Sequence, residues 1–184
     1  AVPIKTRGVV YVVTEDHDLE AAFLSAQSVK RFCPGLAITL FGGAREHLLC
    51  PADVFDDLRP HPFVGTPPSG WSHLRCLAAP PYDDTLYLAN DTRLLTPELR
   101  GLFTLLDAAD IAMVETAPDI STLRQHLGHG LFDSGFILYR RNAATAAWLS
   151  AWCELTERNR DSARQTPVPA SGAVAQMSDP ETRR

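Results

Sequence analysis

A short polar cluster, Asn90-Asp91, comes just after an apolar run over residues 85–88. The run has the composition of a buried strand, and α/β proteins bind ligands just beyond the carboxyl ends of such strands. A carboxylate at that position can hold a divalent cation against a phosphate group. Asp91 is therefore a candidate metal ligand, with Asn90 as a neutral and weaker oxygen donor beside it. Alternatively, the two residues only cap the following turn, where Asn and Asp are common.

A second polar interruption occurs in the strand-like run over residues 132–139, where Asp133-Ser134-Gly135 break an otherwise apolar sequence. Glycine in a strand allows a ligand to approach the backbone closely, but it also marks simple bulges in core strands. Two histidines, His126 and His129, precede this run at a spacing of three. They are candidates for contact with one ligand, or plain members of a polar loop.

The first apolar run, over residues 9–13, ends at Thr14 and is followed by acidic residues. Thr14 is a candidate ligand contact at this strand end. Glu15, Asp16 and Asp18 fit equally well as solvated residues at a helix N-terminus, where acids suit the helix dipole. No G-x-G-x-x-G follows the strand, which argues against an ordinary dinucleotide-binding Rossmann domain.

The composition of the chain indicates a globular protein and argues against several other classes. The 184 residues carry a net charge of −5 and are 45% hydrophobic, which predicts one globular domain. The chain has no basic block, so we expect no nucleic-acid partner, and no apolar run reaches the roughly 20 residues of a membrane span. The first residues lack the apolar core of a signal peptide, so none is expected. The scattered Cys33, Cys50, Cys76 and Cys153 predict reduced thiols in a cytoplasmic protein rather than a zinc site.

The hydrophobic pattern alternates between strands and helices. It predicts strands over 9–14, 36–41, 54–58, 85–88, 111–114 and 132–139, and helices over 19–32, 71–79, 97–106 and 143–158. The βαβ order at the start implies a right-handed crossover. We therefore expect an α/β fold with a mostly parallel central sheet flanked by helices, in one domain over residues 1–160. Residues 161–184, poor in large apolar side chains, are expected to form a poorly ordered tail.

Several of these segments together resemble one enzyme family. Tyr87-Leu88-Ala89-Asn90-Asp91-Thr92 is similar to the YLDxDT strand end of nucleotide-sugar-dependent glycosyltransferases with the GT-A fold. Residues 71–84 resemble the family's W-x-x-K helix and the turn that follows it, and residues 99–106 resemble its LFdLL helix. Two strands are also similar: residues 111–114 resemble the family's diA strand, and residues 132–139 resemble its fNsGvilyrr strand. The similarity extends over roughly residues 8–155. This chain has Ala89 where the family has the first Asp of D-x-D, and Asp133 where it has Asn.

The resemblance implies transfer of a sugar from a nucleotide-diphosphate sugar, with UDP the expected nucleotide, to an unidentified small-molecule, glycan or protein acceptor. By analogy with the family, Asp91 would bind Mn²⁺ or Mg²⁺, Arg75 the diphosphate, and Thr14 the nucleotide. Ser134 and Gly135 would lie beside the transferred sugar. Asp133 would accept a hydrogen bond from a sugar hydroxyl or act as the general base of an inverting reaction. Metal-dependent relatives often have a later histidine ligand; in this chain either His129 substitutes for it or the ligand is absent.

Loss of the first aspartate leaves two alternatives open. One is a catalytically inactive glycosyltransferase-like module that binds a nucleotide or a protein, for which a homo-oligomer is an expected state. The other is a metal-independent enzyme in which Arg75 and other basic residues take over the charge compensation.

Overall fold

The protein is described by a computed structural model over residues 6–43, 49, 53–62, 72–115 and 132–165. Within these residues, six strands form one sheet in the order β3-β2-β1-β4-β6-β5. They are β1 (Arg7–Val12), β2 (Ala37–Gly42), β3 (Asp57–Pro60), β4 (Asp84–Leu88), β5 (Ile111–Glu115) and β6 (Phe132–Arg140). Strands β3, β2, β1 and β4 are parallel, whereas β6 pairs antiparallel with both β4 and β5. The predicted mostly parallel α/β sheet is confirmed.

Four helices accompany the sheet in the described residues: α1 (Asp16–Phe32), α2 (Ser72–Leu77), α3 (Leu99–Leu102) and α4 (Ala143–Gln165). Helix α3 tightens into a 3-10 turn over Phe103–Asp107 instead of continuing as the single predicted helix. Strand β3 begins at Asp57, later than predicted, and Val54 and Phe55, taken as part of it, lie buried in the core before the strand.

The two faces of the sheet bury two separate apolar clusters. Because side chains alternate along a strand, Val9 and Tyr11 of β1 pack with α1 and α3, whereas Val10 and Val12 pack with α2 and α4. The alternation repeats in β4, where Leu86 and Leu88 face the first cluster and Tyr87 the second. Helices on both faces bury all of β4 and all of β1 after Arg7, which explains the continuous apolar sequence of these strands.

Gly8 of β1 is required by a close contact. A Cβ atom at this position would lie 2.2 Å from the ring of Tyr82, whose hydroxyl shares a 2.8 Å hydrogen bond with Thr39 Oγ1 of β2. The ring of Tyr82 thus lies directly against the backbone of β1, at the end of the sheet opposite the carboxyl ends of the parallel strands.

Charged residues tie the same end of the sheet together. Asp84, which is fully buried, lies 3.3 Å from Arg140 Nε and 3.5 Å from Arg7 Nε. Its neighbour Asp83 accepts hydrogen bonds from Thr6 and from Arg141. These contacts join the starts of β1 and β4 to the end of β6.

Helix α4 continues through Gln165, past the predicted end of the domain at residue 160. Residues 166–184, and with them most of the predicted tail, lie outside the described residues, so the domain boundary stays a prediction. The described residues also exclude Trp71, Cys50, His126 and His129.

No helix in the described part of the chain is long and apolar enough to cross a membrane.

Candidate functional site

The segment after β4 is held in place by contacts with three other elements. Ala89 N donates to Gly135 O of β6 at 2.7 Å, and Asn90 Nδ2 donates to Val12 O of β1 at 2.9 Å. Leu94 N donates to Ser28 Oγ of α1 at 2.9 Å. The loop that carries Asp91 is therefore fixed relative to the ends of β1 and β6.

The contact with Val12 also sets the orientation of the Asn90 amide. A carbonyl oxygen only accepts, so the group facing Val12 must be the NH₂. Asn90 Oδ1 is then buried and has no hydrogen-bond partner in the structure. An enclosed oxygen of this kind cannot ligate an ion in the cleft unless the side chain rotates and gives up its bond to β1.

Two cavities of about 520 Å³ each open beside this loop. The first lies at the end of β1 and the start of α1, and its wall includes Thr14, Glu15, Asp18 and Asn90. The second lies at the start of β6, and its wall includes Thr92, Asp133, Ser134, Gly135 and Phe136. Both cavities share His73, Tyr87, Ala89 and Asp91. They adjoin as one cleft at the carboxyl ends of β1 and β4, where α/β folds bind ligands.

A local irregularity in β6 shapes the second cavity. Met113 of β5 pairs with Ile137, but the next residue, Val114, pairs with Asp133, so the intervening residues bulge out of that ladder. Asp133 Oδ1 accepts a 2.7 Å hydrogen bond from Gly135 N, which stabilises the bulge. The bulge that was one of the two sequence alternatives is present, and it lies in the wall of the second cavity. Bulges are common beside active sites.

Gly135 and Ala89 are small residues in close contact across the strand pair. A Cβ atom at Gly135 would lie 3.0 Å from Ala89 Cβ and 3.1 Å from Asp133 Oδ1. Any side chain at position 135 would therefore press on both the Asp133 carboxylate and the wall that the two cavities share.

His73 and Tyr87 form a stacked pair at the junction of the two cavities. Their rings are nearly parallel, at 7°, with centroids 5.2 Å apart. Neither residue stands out in the sequence as a site residue, because a Tyr inside a strand and a His on a short apolar helix are ordinary core residues. Their shared position follows from the packing of α2 on β4, which the sequence pattern alone does not give.

The cleft is acidic. Its described wall contains the carboxylates of Glu15, Asp18, Asp91 and Asp133 and no Lys or Arg side chain. Burial raises the pKa of Tyr87 well above its usual value, and nearby negative groups raise it further, among them Asp18, Asp91 and Asp133. The phenol of Tyr87 therefore stays protonated between carboxylates that belong to both cavities.

Arg75 lies apart from the residues that line the two cavities. Leu74, Cys76 and Leu77 of α2 are buried, which turns Arg75 outward to an ion pair with Glu157 of α4. All other predicted site residues, namely Thr14, Asn90, Asp91, Asp133, Ser134 and Gly135, lie in the cleft walls.

The described residues do not form a metal site by themselves. No group of three His, Cys, Asp or Glu side chains among them converges closely enough to hold an ion. Asp91 contributes one exposed carboxylate, Ala89 contributes a methyl group, and the Asn90 oxygen is enclosed. The donor set fits an ion only if most of its ligands come from a bound substrate or from water.

Comparison with known proteins identifies the fold. Neither a family model nor a curated protein matches the chain. Among solved structures, the glycosyltransferase GlyE of Streptococcus pneumoniae TIGR4 matches with a TM-score of 0.59 at 19% identity, over 85% of this chain and 40% of its own. The galactosyltransferase LgtC, solved with donor and acceptor sugar analogues, matches with a TM-score of 0.56 at 15% identity, over 84% of this chain and 65% of its own.

The chain spans about 40% to 65% of the length of these two structures. A weaker match, with a TM-score of 0.49 at 20% identity over 74% of this chain, is a Mycobacterium tuberculosis glucosyl-3-phosphoglycerate synthase in complex with Mn²⁺, UDP and phosphoglyceric acid. The two stronger matches confirm the fold expected from the strand-end motif: this chain has the GT-A fold of the nucleotide-sugar glycosyltransferases.

Proposed function

We propose that this chain transfers a glycosyl group from a nucleotide-diphosphate sugar, with UDP as the preferred nucleotide, to an acceptor that carries a nucleophilic hydroxyl. One observation carries the proposal. In a GT-A fold, the cleft at the carboxyl ends of β1 and β4 brings together Thr14, Asp91, Asp133 and Ser134, which are far apart in sequence.

The first cavity is suited to the nucleoside. Thr14 and Asp18 lie together there, with Thr14 Oγ1 3.4 Å from Asp18 Oδ2. Carboxylates accept hydrogen bonds from hydroxyl groups, so Asp18 and Glu15 are fitted to the two ribose hydroxyls. Asp91 lies in the wall of both cavities, which supports a diphosphate position between the nucleoside and the sugar.

The second cavity is suited to the transferred sugar and the reaction. Asp133 Oδ1 already accepts a hydrogen bond from Gly135 N. The other carboxylate oxygen, Oδ2, is therefore the one that takes the proton of the acceptor hydroxyl. The acceptor oxygen then bonds to the anomeric carbon, and the bond from that carbon to the phosphate oxygen breaks. The nucleoside diphosphate leaves with the electron pair, and the configuration inverts. Asp91 would hold a divalent ion, which would supply charge neutralisation for this leaving group.

A second candidate function is a non-catalytic module that binds a nucleotide or a protein partner. The observation that favours it is Ala89, which puts a methyl group in the shared wall where the family carries a carboxylate. Such a module would be expected to oligomerise.

A metal-independent enzyme that uses Arg75 is less well supported, because Arg75 is paired with Glu157 away from the cleft. The free thiols of Cys33, Cys76 and Cys153 suit a cytoplasmic location for either candidate.

Thermal unfolding with nucleotides tests the proposal. A ligand that binds only the folded protein raises its melting temperature. We expect UDP with Mn²⁺ to raise Tm more than GDP, CDP or TDP, and Asp91→Ala to abolish the effect. The exposed Asp107, which is absent from both cavity walls, provides the matched control, and Asp107→Ala should respond like the wild type. No response to any nucleotide would favour a non-catalytic module that binds a protein partner.

A further inference from the structure

We infer that two copies of this chain associate through helix α4, with the two helices antiparallel about a two-fold axis. The inference does not rest on the proposed function, because it concerns a face of the molecule that shares no residue with the cleft walls. It rests on an exposed apolar stripe on α4, on the order of large and small side chains along that stripe, and on a neighbouring apolar part of the sheet.

The stripe runs along the outer flank of α4. Ala144, Trp148, Ala151 and Leu155 follow one another at spacings of four, three and four residues, which places them on one side of a helix. The two alanines are exposed, Trp148 is half-buried, and Leu155 is 52% exposed. A shallow cavity of about 270 Å³ lies between Trp148, Ala151, Trp152 and Leu155. Aromatic side chains without charged neighbours are typical of the centre of a protein interface.

The stripe is complementary to itself when a second copy lies antiparallel to the first. If Trp148 lies opposite the second copy's Ala151, the same register places Leu155 opposite Ala144, because both pairs are symmetric about the midpoint between residues 149 and 150. Each large side chain then meets a small one, and the two-fold symmetry repeats both contacts. Large residues that face small ones allow two helices to interdigitate. An unrelated partner would not require this symmetric order, which therefore favours a second copy.

The edge of the sheet adds to the apolar surface of the stripe. A stable interface buries about 800 Å² on each partner, which is more than a stripe of about three helical turns offers. Glu157 turns towards α2 through its ion pair with Arg75, and Trp148 lies about 180° around the helix from Glu157, on the side of the edge strand β5. Ile111 and Met113 of β5 are only half-buried and pack against the same apolar cluster as Trp148. A dimer would bury the stripe and this part of β5 together.

Charged residues at the ends of the stripe are paired within each copy. Arg158 lies 4.0 Å from Glu154, and Arg141 donates a hydrogen bond to Asp83. The antiparallel register brings Arg158 of one copy towards Arg141 of the second, and these existing pairs limit the repulsion between them. A polar rim around an apolar centre is the usual arrangement of an interface. Because the apolar area is modest, we expect a dimer that dissociates in the micromolar range.

Sedimentation-velocity ultracentrifugation of the full chain, from about 1 μM to about 1 mM, tests the inference. We expect the wild type to shift from monomer to dimer across this range. Ala151→Glu, at an exposed position in the stripe, should weaken association by at least about 10-fold, because the dimer would bury a charge against Trp148. Ala146→Glu is the matched control and should associate like the wild type. Ala146 is also exposed on α4, but it lies about 140° around the helix from Ala151.

A pair of opposite charges separates a lost contact from a lost fold. In the antiparallel register, Ala151 of one copy lies three residues, or about 4.5 Å along the helix axis, from Ala151 of the second. Ala151→Glu and Ala151→Lys should each be mostly monomeric alone. A mixture of the two should associate at least about 10-fold more tightly than either variant alone, because opposite charges then meet at the axis. Two misfolded variants would not restore each other's association.

Three results would overturn the inference: a wild type that stays monomeric at about 1 mM, a dimer that responds equally to Ala151→Glu and Ala146→Glu, or a mixture of the two Ala151 variants that shows no gain. Failure of the proposed function has a different signature. Neither Ala146 nor Ala151 lines the cleft, so a wild type that dimerises but shows no change in Tm with any nucleotide would count against glycosyl transfer and leave the dimer standing.

Discussion

At the residue scale, the sequence located most of the cleft because strand ends are local features. Asp91 and Thr14 each end an apolar run, and the carboxyl ends of parallel strands meet at one edge of the sheet. Arg75 was harder to place, because the rotation of α2 is set by the burial of its neighbours Leu74 and Cys76. His73 was not predicted for the same reason: its ring reaches the cleft only through its packing on Tyr87.

We predict that Asp133→Asn lowers the rate of sugar transfer by about 10²- to 10⁴-fold, the usual contribution of a general base. Nucleotide binding should change little, because Asp133 lies in the second cavity and not in the first. Steady-state transfer kinetics and calorimetry measure the two effects. Asp107→Asn, outside both cavity walls, is the control, and a transfer rate unaffected by Asp133→Asn would exclude Asp133 as the base.

Gly135→Ala should reduce transfer more than it reduces stability. The new methyl group would meet Ala89 Cβ at 3.0 Å and Asp133 Oδ1 at 3.1 Å, so the carboxylate would have to move. We expect kcat to fall with only a small change in Tm, measured on the same preparation. A large fall in Tm with unchanged kcat would show that Gly135 serves packing alone.

At the scale of elements, the apolar pattern predicted which segments form strands and helices better than it predicted where they end. The run that contains Val54 and Phe55 reads as a strand, yet both residues are buried before β3 begins at Asp57. The antiparallel pairing of β6 with β4 also depends on contacts distant in sequence. Sequence alone therefore predicted a mostly parallel sheet, but neither the order of its strands nor the antiparallel pairing of β6.

We predict that Gly8→Ala destabilises the protein by about 1–3 kcal/mol or more, because overpacking forces neighbouring groups to move. The added Cβ would lie 2.2–2.6 Å from the ring of Tyr82, which is held by its bond to Thr39. Urea denaturation measures the loss. Gly101→Ala is the matched control, since a Cβ there meets nothing within 4 Å in α3, and it should be neutral or slightly stabilising. Equal effects of the two substitutions would contradict this account of the Tyr82 contact.

At the scale of the whole molecule, the two ends of the sheet differ in how their charged residues are arranged. The carboxyl ends of β1 and β4 carry the acidic cleft, whereas the opposite end carries paired charges that join β1, β4 and β6. This division separates the residues that line the cleft from the ion pairs of Asp84 with Arg7 and Arg140. It also predicts that stability and activity respond separately to changes at the two ends.

The pH dependence of stability tests this division. Hydrogen bonds from the Thr6 backbone and hydroxyl, followed by Arg141, hold the pKa of Asp83 below its usual value. A lowered pKa in the folded state stabilises the protein above the unfolded pKa of about 3.9, and the benefit is lost as pH falls through the folded value. We expect Asp83→Asn to destabilise the protein at pH 7 and the difference from wild type to shrink in acid. A difference that grew as pH fell would contradict the sign of this shift.

A crystal structure of the full chain with UDP and Mn²⁺ tests the central claim most directly. The account predicts uridine in the cavity lined by Thr14 and Asp18, with the diphosphate beside Asp91 and its sugar-bearing end toward Asp133. Nucleotide bound outside this cleft, or a cleft that stays empty at saturating UDP and Mn²⁺, would contradict it.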